Sequence, residues 1–163
     1  MRTDLFGEEH LEPLDVAHKA IAMSLDFPFY KIKTYNTSVM FLDEKNDRVS
    51  LTNTYGLYAI YKDKVCLYVG ETFSSIYYRI YRFQKELLGL SRYDESHAAA
   101  SKAKADGVDD LDNCQVKFIP HHVFMKEVDK LDPDYRKVYG HFPIDEYAAP
   151  LLNAKYNTRK VHM

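Results

Sequence analysis

The order of apolar and polar positions divides the chain into segments of clear period. Leu14, Ala17, Ile21 and Leu25 recur at helical spacing behind Pro13, and Glu8, Glu9 and Glu12 precede them, where acidic groups suit the positive end of a helix. That pattern predicts a helix opening at Pro13 and ending by Asp26, because Pro28 follows. Residues 37–42 and 48–51 are short β-like runs around a polar stretch, which reads as a hairpin. A second hairpin is sharper: residues 56–61 (GLYAIY) and 65–69 (VCLYV) flank the polar turn KDK. Thr72 or Ser74 can cap a following helix to about Leu88, before Gly89, with Ile76, Ile80, Phe83 and Leu87 in one apolar stripe. Residues 97–105 read as an alanine-rich helix, 113–119 (NCQVKFI) as a strand closed by Pro120, and 144–152 as a short helix holding Glu146. Between 120 and 144 the periodic signal is weak.

Composition narrows the class. A chain of 163 residues suits one domain, or a small domain with an appended arm. With 46% hydrophobic and 28% charged residues it has enough apolar material for a packed core. No apolar run approaches a membrane span and no secretory leader is expected, which points to a cytoplasmic protein without a membrane partner. Cys66 and Cys114 are too few for a four-thiolate zinc site and read as buried thiols. The charge of −2 excludes a strongly basic nucleic-acid binder, so any basic surface must be local; the acidic excess lies in residues 1–50. Packing on sheets and helices accounts for most of the 14 tyrosines.

The chemistry-bearing residues lie in the second half. The tripeptides GLY (56–58) and YVG (68–70) sit on the two strands of one hairpin, Arg79 follows eleven residues after Tyr68, and Glu146 precedes Asn157 by eleven in EYAAPLLNAKYN. Taken together, these parts in this order resemble the GIY-YIG nuclease superfamily, over residues 55 to 158. The resemblance implies that Tyr58 positions or deprotonates the attacking water and that Tyr68 contacts the scissile phosphate or the same water. It implies that Arg79 holds phosphate oxygens with its planar fork, that Glu146 is the one protein ligand of Mg²⁺ or Mn²⁺, and that Asn157 maintains local geometry. Many members of the family carry a His, Tyr or Lys between the arginine and the glutamate. His97 fits that place as a phosphate contact or proton shuttle, with His121, His122 and His141 as competitors. Arg82 is an auxiliary phosphate contact or the rival of Arg79. Glu71, an acid directly after the second tripeptide, departs from the family pattern, and Asp145 reads as a helix-start residue pointing away from the site.

The expectation is therefore an α/β (α+β) fold with a small, mainly antiparallel three-stranded sheet flanked by helices. Residues 1–52 would form an N-terminal extension of helix plus hairpin, and 53–163 the GIY-YIG-like domain. The implied function is metal-dependent DNA endonuclease activity of the restriction-enzyme or phage type, in a bacterial or phage-infected cell. DNA would lie on a local basic surface of Arg82, Lys85, Lys155, Arg159 and Lys160. The N-terminal segment is available for target recognition or a homodimer contact. Two other classes stay open: a catalytically inactive DNA-binding or regulatory protein on the same fold, and a protein-interaction module with structural tyrosines.

Overall fold

The computed structural model describes residues 1–92, 97–140 and 143–158. Its centre is a six-stranded antiparallel sheet in the order β5-β4-β3-β8-β6-β7. Strands β6 (Gly56–Lys62), β7 (Val65–Thr72) and β8 (Gln115–Pro120) are the three expected from the sequence. The expected three-stranded sheet is thus too small. Strands β3 (Tyr30–Tyr35), β4 (Ser38–Leu42) and β5 (Arg48–Val49) continue the same sheet across the boundary drawn at residue 52, through the pairing of Tyr30 with Val116 and Lys31 with Gln115. The N-terminal β1 (Arg2–Thr3) and β2 (Glu9–His10) form a separate two-stranded ribbon.

Period-two alternation on β6 assigns its residues to two cores. Tyr58 and Ile60 face a cluster with Ile32, Phe41 and Val116. This face is covered by α2 (Ile76–Leu87), through Ile76, Ile80, Phe83 and Leu87, and by α3 (Ala98–Ala105), through Ala99, Ala100 and Ala103. Leu57 and Ala59 face the other cluster, closed by Val16, Ala17 and Ala20 of α1 (Pro13–Ser24), Phe124 and Val128 of α4 (His121–Leu131), and Ala148 and Ala149 of α6 (Ile144–Leu151). A short α5 (Tyr135–Tyr139) follows α4. Helices on both faces make β6 a strand buried throughout its first five residues. Among the described residues no helix is long and apolar enough to cross a membrane.

Three local readings need correction. The cap of α2 is Ser75, whose side chain accepts from the Tyr78 N–H at 3.1 Å, while the Thr72 hydroxyl takes the N–H of Ser74 and organises the preceding turn. Strand β3 escapes a pattern reading because Ile32 alone among its six residues is buried; it turns into β4 through Asn36 at a φ of 53°. Helix α4 starts directly at Pro120, with His121, Phe124 and Val128 on its buried face. Only two of those three are apolar, too sparse a stripe to stand out in the sequence.

Candidate active site

Both glycines of the paired tripeptides answer to close approach. Gly70 lies opposite Tyr58 in the β6–β7 register, and a Cβ there would come within 2.5 Å of the Tyr58 phenol and 2.8 Å of the Tyr68 ring. A Cβ on Gly56 would strike the Ile119 carbonyl of β8. The two aromatic rings therefore lie over a strand surface kept bare for them, with centroids 6.2 Å apart.

These rings open onto a cleft of about 330 Å³. Tyr58, Tyr68, Arg79, His97, Glu146 and Asn157 all line it, from β6, β7, α2, the start of α3, α6 and the segment after α6. Arg79 projects from the first turn of α2, and its Nε is buried without a hydrogen-bond partner among the described residues. Asn157 makes two bonds to one residue: its Oδ1 accepts from the Val69 N–H at 2.9 Å and its Nδ2 donates to the Val69 carbonyl at 2.7 Å. It thus secures the strand between Tyr68 and Gly70.

Burial, reinforced by Tyr68 and opposed by Arg79, pushes the Tyr58 phenol well above its ordinary value. A phenol in that state is a hydrogen-bond donor and a poor base, so positioning suits Tyr58 better than proton abstraction. His97 is the N-cap of α3: its Nδ1 accepts from the Ala100 N–H at 3.3 Å, and its ring packs edge-on to Tyr68 at 5.0 Å. Burial, together with Arg82 and Arg79, pushes this imidazole down to about 4. With Nδ1 accepting, the neutral ring carries its proton on Nε2, so at neutral pH His97 is a donor.

Asp145 was expected to point away, yet it lines the cleft beside Glu146. The cleft meets α6 at its N-terminal end rather than along its side, so consecutive residues of the first turn both reach it. Burial, with Glu71 and Glu146 nearby, pushes the Asp145 carboxyl up to about 6. Glu71 lines the same cleft, but both its oxygens are engaged: Oε2 with His121 Nε2 at 2.7 Å, and Oε1 accepting from the Ile144 N–H at 3.2 Å. His121 has folded inward toward Glu71, His122 is exposed, and His141 lies outside the described residues. Asp145 and the Glu71–His121 pair are what a reading of the sequence misses; the only hint was two adjacent acids opening a helix.

Three carboxylates at one cleft, with Asp145 raised by burial and then by the other two, offer hard oxygen donors of the kind a divalent ion such as Mg²⁺ takes, and Glu146 is the residue that would hold it. A second acidic group lies far along the chain. Ligand atoms of Asp4, Glu8 and His10 fall within 4.8 Å of one another. There, however, His10 already spends Nε2 on Asp4 at 2.8 Å and Nδ1 on Asp132 at 3.0 Å, so the group is built as an ion-pair clasp. Of the expected DNA-contacting residues, Arg82 and Lys85 lie on α2 over the rings of Tyr78 and Tyr81, and Lys155 lies over Tyr156. Arg159 and Lys160 lie outside the described residues. Cys66 and Cys114 are buried free thiols, pushed up by burial to about 12 and about 11. Compared with family models, curated proteins and solved structures, the chain matches none.

Proposed function

We propose that the chain is a divalent-metal-dependent DNA endonuclease, of the restriction or phage type, that hydrolyses phosphodiesters by attack of water. The observation that carries this reading is the single cleft shared by Tyr58, Tyr68, Arg79, His97, Glu146 and Asn157, in which the Arg79 Nε has no partner among the described residues. A guanidinium with an open donor in a cleft of carboxylates has a natural occupant in a phosphate, held by its planar fork as charge develops on the oxygens. The Nε2–H of neutral His97 adds a second donor. Tyr58 and Tyr68, side by side on the cleft wall, orient the water, and the Asp145 carboxylate accepts the proton that the water gives up. The new bond joins the water oxygen to phosphorus, the bond to the 3′ oxygen breaks, that oxygen takes up a proton from solvent water, and the products are a 5′-phosphate and a 3′-hydroxyl. A divalent ion held by Glu146, when bound, supplies charge neutralisation for the phosphate and the leaving oxygen.

Plasmid DNA incubated with the protein in Mg²⁺ should be nicked or linearised, and excess chelator should abolish the cleavage. Intact plasmid under both conditions would remove the reading. A non-cutting DNA-binding protein on the same scaffold is the second reading, and Glu71 favours it, because a fixed carboxylate in the cleft opposes an incoming phosphate. DNA retention in Ca²⁺ without cleavage in Mg²⁺ or Mn²⁺ would select it.

A further inference from the structure

Glu71 lines a second cavity as well as the cleft. This one measures about 490 Å³, within the roughly 300–1,000 Å³ typical of small-molecule sites, and its walls include Tyr55, Phe73, His121, Met125, Tyr135 and Ile144. Phe73 is 58% exposed, and its ring stacks on His121 at 4.2 Å with the planes 11° apart. Two of the lining residues carry a buried polar atom that lacks a partner among the described residues: the Tyr135 hydroxyl and His121 Nδ1. Both residues are more than nine-tenths buried, with exposures of 2% and 8%. Native proteins rarely leave such groups unsatisfied, because each forfeits its hydration for nothing.

Their positions are defined. His121 Nε2 is taken up by Glu71 at 2.7 Å, which leaves Nδ1 as the ring nitrogen open to a polar partner. Burial raises the Tyr135 phenol, which keeps it a donor. A phenol and an imidazole nitrogen beside an aromatic wall suit the Watson–Crick edge of a nucleobase, which offers acceptors and donors side by side on a flat, stackable ring. The position adds the strand. A shallow depression lined by Glu71, Phe73, Arg79 and Asp145 joins this cavity to the cleft, so a base at Phe73 and a phosphate at Arg79 lie along one path.

We propose that the cavity receives a nucleobase turned out of the DNA strand whose phosphate occupies the neighbouring cleft. The proposal rests on the phosphodiester reading of that cleft. Binding there pairs the two orphaned polar atoms and stacks the base against the aromatic wall.

Isotope-labelled protein titrated with the four deoxynucleoside 5′-monophosphates, and with 2-deoxyribose 5-phosphate as the base-free control, tests it by NMR. At least one mononucleotide should shift the Phe73 and Tyr135 rings together with the Arg79 side chain, binding about tenfold tighter than the control, the ratio worth roughly one good hydrogen bond. Tyr135→Phe should lower that affinity about five- to tenfold while raising the Tm of the free protein, a pairing of effects that a purely structural hydroxyl would not give. Met125→Trp, which fills the cavity away from the cleft, should erase the base-dependent part of binding and leave the control unchanged. Equal binding of control and mononucleotides, with shifts confined to Arg79 and His97, overturns the base site while leaving the cleft reading intact. Absence of any shift at Arg79 and His97 counts against the cleft reading, and against this proposal with it. The dinucleotide d(ApA) binding more weakly than dAMP would assign the cavity to a free nucleotide and overturn the strand assignment.

Discussion

Two clusters of charge in this molecule contain carboxylates beside a histidine, and they are built in opposite ways. In the N-terminal clasp, His10 lies between Asp4 and Asp132, both ring nitrogens meet a carboxylate oxygen, and Asp132 also accepts from the Leu11 N–H at 2.9 Å. Asp132 and Asp4 raise the His10 imidazole above its usual value, and the carboxylates in turn sit below theirs. In the cleft, Glu71, Asp145 and Glu146 crowd together, burial and these neighbours raise Asp145, burial and two arginines lower His97, and the Arg79 Nε has no partner among the described residues. The clasp satisfies itself; the cleft is arranged for something that comes from outside. Like-charge crowding maintained in a folded protein is a mark of function, because the same residues neutralised or turned outward would fold more stably.

The largest test of that contrast removes the cleft's charge. Glu146→Gln keeps the shape and should lower Mg²⁺-dependent cleavage by about a hundredfold or more, with Tm nearly unchanged, measured by plasmid nicking and thermal melting. Arg79→Lys should be comparably damaging, because an ammonium cannot reproduce the two-pronged phosphate contact. Tyr58→Phe should slow single-turnover cleavage by about a hundredfold while DNA binding in Ca²⁺ persists. Normal cutting by both Tyr58→Phe and Tyr68→Phe would return the phenols to packing.

Asp145→Asn addresses the crowding itself. The folded carboxyl titrates near 6 and the unfolded one near 3.8, so folded stability falls as pH rises through that interval. In chelator at pH 8 the variant should melt higher by roughly 2–4 °C, the shift expected for about 1 kcal/mol in a chain of this size, and the advantage should vanish below pH 3.8. Cleavage should be lost in the same variant, a stability gain at the expense of function. A lower Tm at pH 8 would mean that the carboxylates are not in conflict.

The clasp should behave in reverse. His10 gains stability below its ordinary 6.5 and loses it as pH rises through the raised folded value, while Asp4 and Asp132 lose theirs as pH falls through their lowered ones. His10→Gln should therefore lower Tm most between about pH 4.5 and 6.5, less at pH 9, and leave the cleavage rate alone. The smallest effect concerns the basic face of α2: removing Arg82 or Lys85 should each reduce the salt dependence of DNA binding by about one unit of slope.

What the sequence discloses follows from the range of the interactions. The β6–β7 hairpin and α2 are set by alternation, a polar turn and an apolar stripe, all within a few residues, and they are readable. Strand β3 has a single buried side chain, and its place in the sheet depends on β8, more than eighty residues later, so nothing local announces it. The site divides likewise. Tyr58, Tyr68 and Arg79 lie at recognisable intervals on neighbouring elements. That Asp145 reaches the cleft depends on which end of α6 meets β7, and the Glu71–His121 contact depends on a helix the pattern hides.

The chain segment holding Asn157 has a consequence for how the protein survives its own synthesis. β7 is the outermost strand of the sheet, and Lys155 and Tyr156 donate their N–H groups to the Cys66 and Leu67 carbonyls before Asn157 takes Val69. Until residues 155–157 arrive, that row of backbone groups is an open template for pairing with another molecule. The covering contact spans 88 residues, so it closes late in folding. A chain cut short before Lys155 would keep both tyrosines and the arginine yet expose the strand that carries Tyr68, and it would be lost to self-association before it was lost to misplaced chemistry.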